Sequence, residues 1–76
     1  MSKPTRITNS IRALRFARGE MTQAELAQRI GVTRQTIIAI EQGRYSPSLE
    51  VAFQIARVLK VPLDEVFRYP DGEGGS

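Results

Sequence analysis

Arg34, Gln35 and Thr36 stand in a row within GVTRQTIIAIEQGR, residues 31–44. A guanidinium presents N–H donors in a planar fork, a carboxamide sets a donor beside an acceptor, and the threonine hydroxyl does both while adding a methyl group. Side by side, such groups suit hydrogen-bonded recognition of a planar edge rather than the making of bonds. Bond-making chemistry is also missing elsewhere. The chain has no Cys and no His, which removes disulfides, cysteine-based zinc sites, the commonest metal ligand and the usual general base at neutral pH. Asp64 and Glu65 are adjacent on an expected helix and so diverge. Ser46 and Ser48 have no base, and the glycines at 72, 74 and 75 follow no strand, as a phosphate loop would. The expectation is no catalytic residue, no metal and no cofactor: not an enzyme.

Long polar side chains can be aimed only from a rigid element. Thr33, Thr36, Ile37, Ile38 and Ile40 are β-branched and favour strands. Yet a Gly-Val-Thr turn precedes them and Gly43 follows, the punctuation of a short helix. Core packing overrides propensity over so few residues.

The apolar spacing is helical throughout. Ile7, Ile11 and Leu14 predict a first helix over roughly residues 7–18, stopped at Gly19. Thr22-x-x-Glu25 forms a capping box, in which the Thr hydroxyl accepts from the Glu backbone N–H and the carboxylate reaches back to the Thr N–H. It opens a second helix with Leu26, Ala27 and Ile30 inside, ended by Gly31. Thr33 caps a third over about 34–41, with Ile37 and Ile40 inward and Gly43 as its left-handed terminator.

Ser46-Pro47 reads as cap and first residue of a fourth helix, about 47–60. Leu49, Ala52, Phe53, Ala56 and Leu59 are expected inside it, and Val51, Ile55 and Val58 widen its apolar face. Pro62 starts a last short helix from Leu63 to Phe67. The expected fold is all-α, a compact bundle of five short helices. Residues 1–5 read as a flexible N-terminus, 6–69 as one domain, and 70–76 as a disordered, glycine-rich tail.

Charge divides the chain. Residues 1–44 hold eight Lys/Arg against three acids, net +5, whereas residues 45–76 hold three against five, net −2. A basic half joined to a mildly acidic one suggests a side that faces a polyanion. With apolar runs of four residues or fewer, no membrane segment and no secretory leader are expected. A cytoplasmic location is the corresponding expectation.

Only Gly31-Val32-Thr33 separate the second and third helices. With Gln23 counted as one, small Ala27 falls at five and Gly31 at nine. Apolar Leu26, Ile30, Val32, Ile37 and Ile40 fall at four, eight, ten, fifteen and eighteen. That register is the helix-turn-helix pattern, in which the N-terminal part of the second helix enters the major groove of DNA. Off the core face of the third helix lie Arg34, Gln35, Thr36, Ile38 and Ala39, the candidate base-reading set. Arg can pair with guanine O6 and N7, Gln with adenine N6 and N7, and the Thr and Ile methyls can meet thymine.

Residues 7–67 resemble the phage-repressor-type helix-turn-helix domain of the xenobiotic-response-element regulator family, in its short single-domain form. The likeness is carried by MTQAELAQRIGVTRQTIIAIEQGRYSPSLEVAFQIARVLKVPLDEVF and by the marker E-x-G-R-x-x-P after the third helix. The resemblance implies a lambda-repressor-like bundle. Gln23 matches the family residue whose side chain and N–H grip a phosphate, in keeping with anion binding at helix N-termini. Gln42, Arg44 and Tyr45 lie in the loop that resembles a second phosphate clamp. Arg34, Gln35 and Thr36 match base-reading positions. Ala39 departs from the long polar residue common there, so readout at that point is expected to be weaker. Arg15 and Glu41 match a buried ion pair between the first and third helices. The run from Arg15 to Glu20 is one residue longer than in the shortest phage repressors, which leaves the directions of Arg12 and Arg18 open.

The expected function is sequence-specific binding of double-stranded DNA by a transcriptional regulator. A domain this small contacts few base pairs, so a homodimer on a palindromic operator is expected. Val58, Val61, Leu63, Val66 and Phe67 are candidates for its interface or for closure of the core. The competing reading is an antitoxin or adaptor whose main partner is another protein.

Overall fold

A computed structural model describes residues 6–70. Residues 1–5 and 71–76, the expected flexible N-terminus and all but Pro70 of the expected tail, lie outside the described residues. In chain order the elements are β1 (Thr8–Asn9), α1 (Ile11–Ala17), α2 (Gln23–Ile30), α3 (Arg34–Glu41), α4 (Leu49–Leu59), α5 (Leu63–Val66) and β2 (Phe67–Arg68). The five helices make this an all-α fold, with a two-stranded ribbon as a small addition.

The caps explain why α2 and α3 start where they do. Thr22 and Thr33 both sit in extended backbone, and their hydroxyls accept from the N–H groups of Glu25 and Thr36 at 3.0 and 3.2 Å. Each satisfies one of the donors that a helix start leaves unpaired. The second half of the expected capping box is not made. The Glu25 carboxylate takes Arg29 at 3.0 Å instead, an exposed pair one turn along α2. Gly31 ends α2 at φ +82°, where a side chain would be strained. Its N–H and that of Val32 both bond to the Ala27 carbonyl at 2.9 and 3.0 Å, which folds the chain back tightly enough for α3 to cross α2.

Helix α1 starts at Ile11, four residues later than the apolar period predicts. Ile7 precedes the ribbon, and Thr8 and Asn9 pair antiparallel with Arg68 and Phe67. The sequence-distant partner captures this segment, which local periodicity cannot foresee. Asn9 completes the junction. Its Oδ1 accepts from the Ile11 N–H at 3.1 Å, while its Nδ2 donates to the Ile40 carbonyl at 3.0 Å at the end of α3. One side chain therefore ties the ribbon, the start of α1 and the end of α3. Asn9→Ala leaves a part-buried carbonyl and N–H without these partners. It is expected to cost about 1–3 kcal/mol, measurable by thermal denaturation.

Helix α4 differs most from expectation. It is capped by Ser48, whose hydroxyl accepts from the Val51 N–H at 3.2 Å, and not by Ser46-Pro47. Its inward face is Ala52, Ile55, Ala56 and Leu59. Leu49 and Phe53, expected inside, are 69% and 51% exposed, whereas Ile55 is fully buried. Two apolar stripes compete on this helix. Ala52, Ala56 and Leu59 are common to both; they differ in whether Ile55 or the Leu49–Phe53 edge turns inward, and Ile55 is the one that packs into the core cluster with Leu26, Ile37 and Leu59.

Helix α5 stops at Val66, so Phe67 lies in β2 rather than in the helix. Val66 is completely buried. Its side chain closes the monomer core, the second of the two roles the sequence left open for it, and it is not available on the surface as an interface residue. Val58, Val61, Leu63 and Phe67 are half-buried and pack against that same core.

Candidate nucleic-acid interface

Ile37 and Ile40 anchor α3 to the core and are essentially inaccessible. A helix fixed along one stripe must turn its other residues outward. Arg34 and Gln35 are exposed at its first turn, and Thr36, Ile38 and Ala39 are half-buried beside them. Ile38 is thus partly covered rather than a bare apolar liability. The Thr36 hydroxyl lies 3.0 Å from that of Thr33 and is held by the cap.

Below this surface a polar cluster joins α1, α2 and α3. Arg15 is only 6% exposed. Its Nε and a terminal amino group donate to the two oxygens of Glu41 at 2.7 and 3.2 Å, a bidentate pair. Its other amino group donates to the Met21 carbonyl at 2.7 Å, so the loop before α2 is held as well. The buried Arg15–Glu41 pair between the first and third helices is present. The Glu41 Oε1 also accepts from the Gln23 amide at 3.0 Å. Gln23 is thereby oriented by the cluster. Its second amide proton, and the backbone N–H that a helix start leaves without a carbonyl, are given no acceptor by the described residues.

Arg34, Gln23 and Gln42 line one open cleft of about 1040 Å³ between α1, α2 and α3, together with Arg12, Arg15 and Glu41. Gln35, Arg44 and Tyr45 lie outside it. Arg44 and Gln42 are both exposed, and the Arg44 Nε donates to the Gln42 Oε1 at 2.8 Å. Tyr45 is half exposed. Gly43 at φ +75° makes the turn that presents this pair. A second, apolar cleft of about 480 Å³ is formed by Ile7, Leu63, Phe67 and Tyr69 with Asp64 and Arg68 at its edge. Among the described residues no three His, Cys, Asp or Glu side chains converge as a metal site would require. No helix among them is long and apolar enough to cross a membrane.

Sequence reasoning left the direction of Arg12, a charged residue of the cleft, open. Arg12 is exposed, and its guanidinium carbon lies 5.6 Å from the centroid of the Phe16 ring, one helical turn on. The i, i+4 spacing of an Arg and a Phe was the available signal.

The model of one known family, helix-turn-helix HTH_3, matches residues 11–66, from the first residue of α1 to the last of α5. The chain belongs to the helix-turn-helix family. Similar relatives include an uncharacterised HTH-type transcriptional regulator of Methanocaldococcus jannaschii, 53% identical over 53 residues that cover 70% of this chain and 80% of that one. The cryptic phage CTXphi transcriptional repressor RstR of Vibrio cholerae is 39% identical over 59 residues, covering 78% of this chain and 52% of the repressor. Among solved structures, the hypothetical transcription factor NHTF from Neisseria superposes with a TM-score of 0.69 at 28% identity. The match covers 80% of this chain and 69% of that one. For a helix-turn-helix protein, the unit that membership concerns is α2 and α3 with the turn at Gly31.

Proposed function

We propose that this helix-turn-helix protein is a sequence-specific, double-stranded DNA-binding transcriptional regulator that acts as a homodimer on a palindromic operator. The observation that carries the reading is the placement of Arg34 and Gln35. Both are exposed on the first turn of α3, off the stripe of buried Ile37 and Ile40. In this reading they meet base edges in the major groove, with Thr36, Ile38 and Ala39 adding shorter contacts. Gln23 and the Gln42–Arg44–Tyr45 loop hold phosphates on the flanks. The names of the relatives, regulators and a phage repressor, support the transcriptional role. Val58, Val61, Leu63 and Phe67 are the proposed dimer surface, and Leu63 and Phe67 line the second cleft.

The direct test is selection of duplexes from a randomised pool. An enriched inverted repeat with half-sites about ten base pairs apart supports a dimeric specific regulator. Arg34→Ala is expected to cost roughly 1–3 kcal/mol on the selected site and to relax preference at one base position. Arg44→Ala is expected to weaken all duplexes alike and to lower the salt slope by about one per protomer. Identical behaviour of the two variants on every duplex would overturn the assignment of roles.

A second reading, an antitoxin or adaptor whose main partner is a protein, is favoured by one observation. Leu49 and Phe53 share an edge of α4 and are both more than half exposed, with Tyr45 nearby in sequence and half exposed. Binding to DNA that is weak, strongly salt-dependent and without a consensus would bring this reading forward.

A further inference from the structure

Phe16 is more than half exposed on α1, at the rim of the large cleft. An exposed ring adds little to the core, but this one lies against two guanidinium groups, those of Arg12 at 5.6 Å and Arg15 at 5.8 Å from its centroid. The two cations are in different states. Arg15 has its donors committed to Glu41 and to the Met21 carbonyl. Arg12 has no acidic partner, since the ion pairs among the described residues are Arg15–Glu41 and Arg29–Glu25. The ring therefore fixes a guanidinium whose hydrogen-bonding donors are uncommitted.

The cleft around it carries a net positive charge. Its charged lining is three cations, Arg12, Arg15 and Arg34, against the single carboxylate of Glu41, so two positive charges remain uncompensated. Gln23, the first residue of α2, opens into the same cleft. An anion seated at that helix N-terminus lies in the same concavity as Arg12, and the base-reading helix begins there with Arg34.

We propose that Arg12, held by the Phe16 ring, grips a backbone phosphate of duplex DNA, so that α1 takes part in the contact surface. This rests on the DNA-binding reading above. The contact is sequence-independent, because a phosphate carries no base identity. Arg12 is a positioning contact for the duplex, and Phe16 acts through Arg12.

The test is fluorescence anisotropy of a short labelled duplex of mixed sequence, titrated across a salt series. Wild type, Arg12→Ala, Arg12→Lys, Phe16→Leu, the double variant R12A/F16L and, as a reference, Arg44→Ala are compared, with circular-dichroism melts to verify that each folds. Arg12→Ala is expected to weaken binding and to reduce the slope of log affinity against log salt by about one per bound protomer. Arg12→Lys, which keeps the charge, is expected to retain the slope. Phe16→Leu is expected to weaken binding in the wild-type background and to add nothing to Arg12→Ala. The proposal is overturned if Arg12→Ala leaves affinity and slope at wild-type values while Arg44→Ala lowers both. It is also overturned if Phe16→Leu weakens binding equally in the two backgrounds. Failure of the wild type itself to bind any duplex would instead sink the DNA-binding reading, and this inference with it.

Discussion

Glu41→Ala is expected to destabilise this domain by about 3–5 kcal/mol, because it leaves the Arg15 guanidinium buried without its counter-charge. The side chains of Arg15 and Glu41 are only 7% and 10% exposed. Water cannot replace the lost carboxylate there as it would at a surface bridge, where such a change costs less than about 1 kcal/mol. Arg15 would keep the Met21 carbonyl, a neutral acceptor that cannot neutralise it. A domain of this length has roughly 4–11 kcal/mol of stability in all, so the loss is expected to remove a large share of it. Urea denaturation measures the loss directly. Replacing both partners with apolar residues, as in R15M/E41L, is expected to cost much less than the single change, because no lone charge is left inside. A double variant as unstable as Glu41→Ala would mean that packing, not the uncompensated charge, sets the cost. A loss under about 1 kcal/mol for the single change would mean that the cluster relaxes open to solvent. The consequence for binding follows from position. Glu41 ends α3 and orients Gln23, so its loss loosens together the two elements proposed above to read bases and to hold phosphate.

Ile55→Ala is expected to cost about 2–5 kcal/mol, whereas Phe53→Ala is expected to change stability by well under about 1 kcal/mol. The contrast runs against side-chain size, since Phe is the larger residue. Ile55 is fully inaccessible and belongs to the cluster built with Leu26, Ile37 and Leu59. Truncating it leaves a cavity that its neighbours fill only in part. Phe53 is half in solvent, so little buried contact is lost. Thermal melts of the two variants side by side decide the matter. A larger loss from Phe53→Ala than from Ile55→Ala would mean that α4 turns its Phe53 edge inward, as its sequence led one to expect. Phe53→Ala is also informative about partners. Unchanged stability with lost capture of a protein partner would favour the adaptor reading over the regulator reading.

Much of the fold was legible in the residues because its signals are local. A threonine before a helix and a glycine after it act within one turn of chain, so the starts of α2 and α3 and the turn between them followed from Thr22, Gly31, Thr33 and Gly43. The inward anchors Ile37 and Ile40 followed from spacing alone. By the same spacing Arg34 and Gln35 had to lie on the outer side. What failed depended on distant partners. Ile7 belongs to the period of α1, but the pairing of Thr8 and Asn9 with Arg68 and Phe67 removes it from that helix. Ser46-Pro47 is a good helix start by type, yet the hydroxyl that meets an unpaired N–H is that of Ser48.

The sequence by itself determined that this is a helix-turn-helix chain, with long polar side chains at the head of its third helix and a basic N-terminal half. Those are properties of residue type and short-range spacing. Tertiary structure alone decided which stripe of α4 is core, that Val66 closes the monomer, and that Gln23 is oriented through Glu41 by Arg15. It also decided that Arg12 stacks on Phe16 without an acidic partner among the described residues, in the cleft it shares with Arg34 and Gln23. The reason is physical. Burial, ion pairing and the confluence of charge in a cleft depend on which elements meet in space, and a single helix with two apolar stripes does not encode which of them its neighbours will cover.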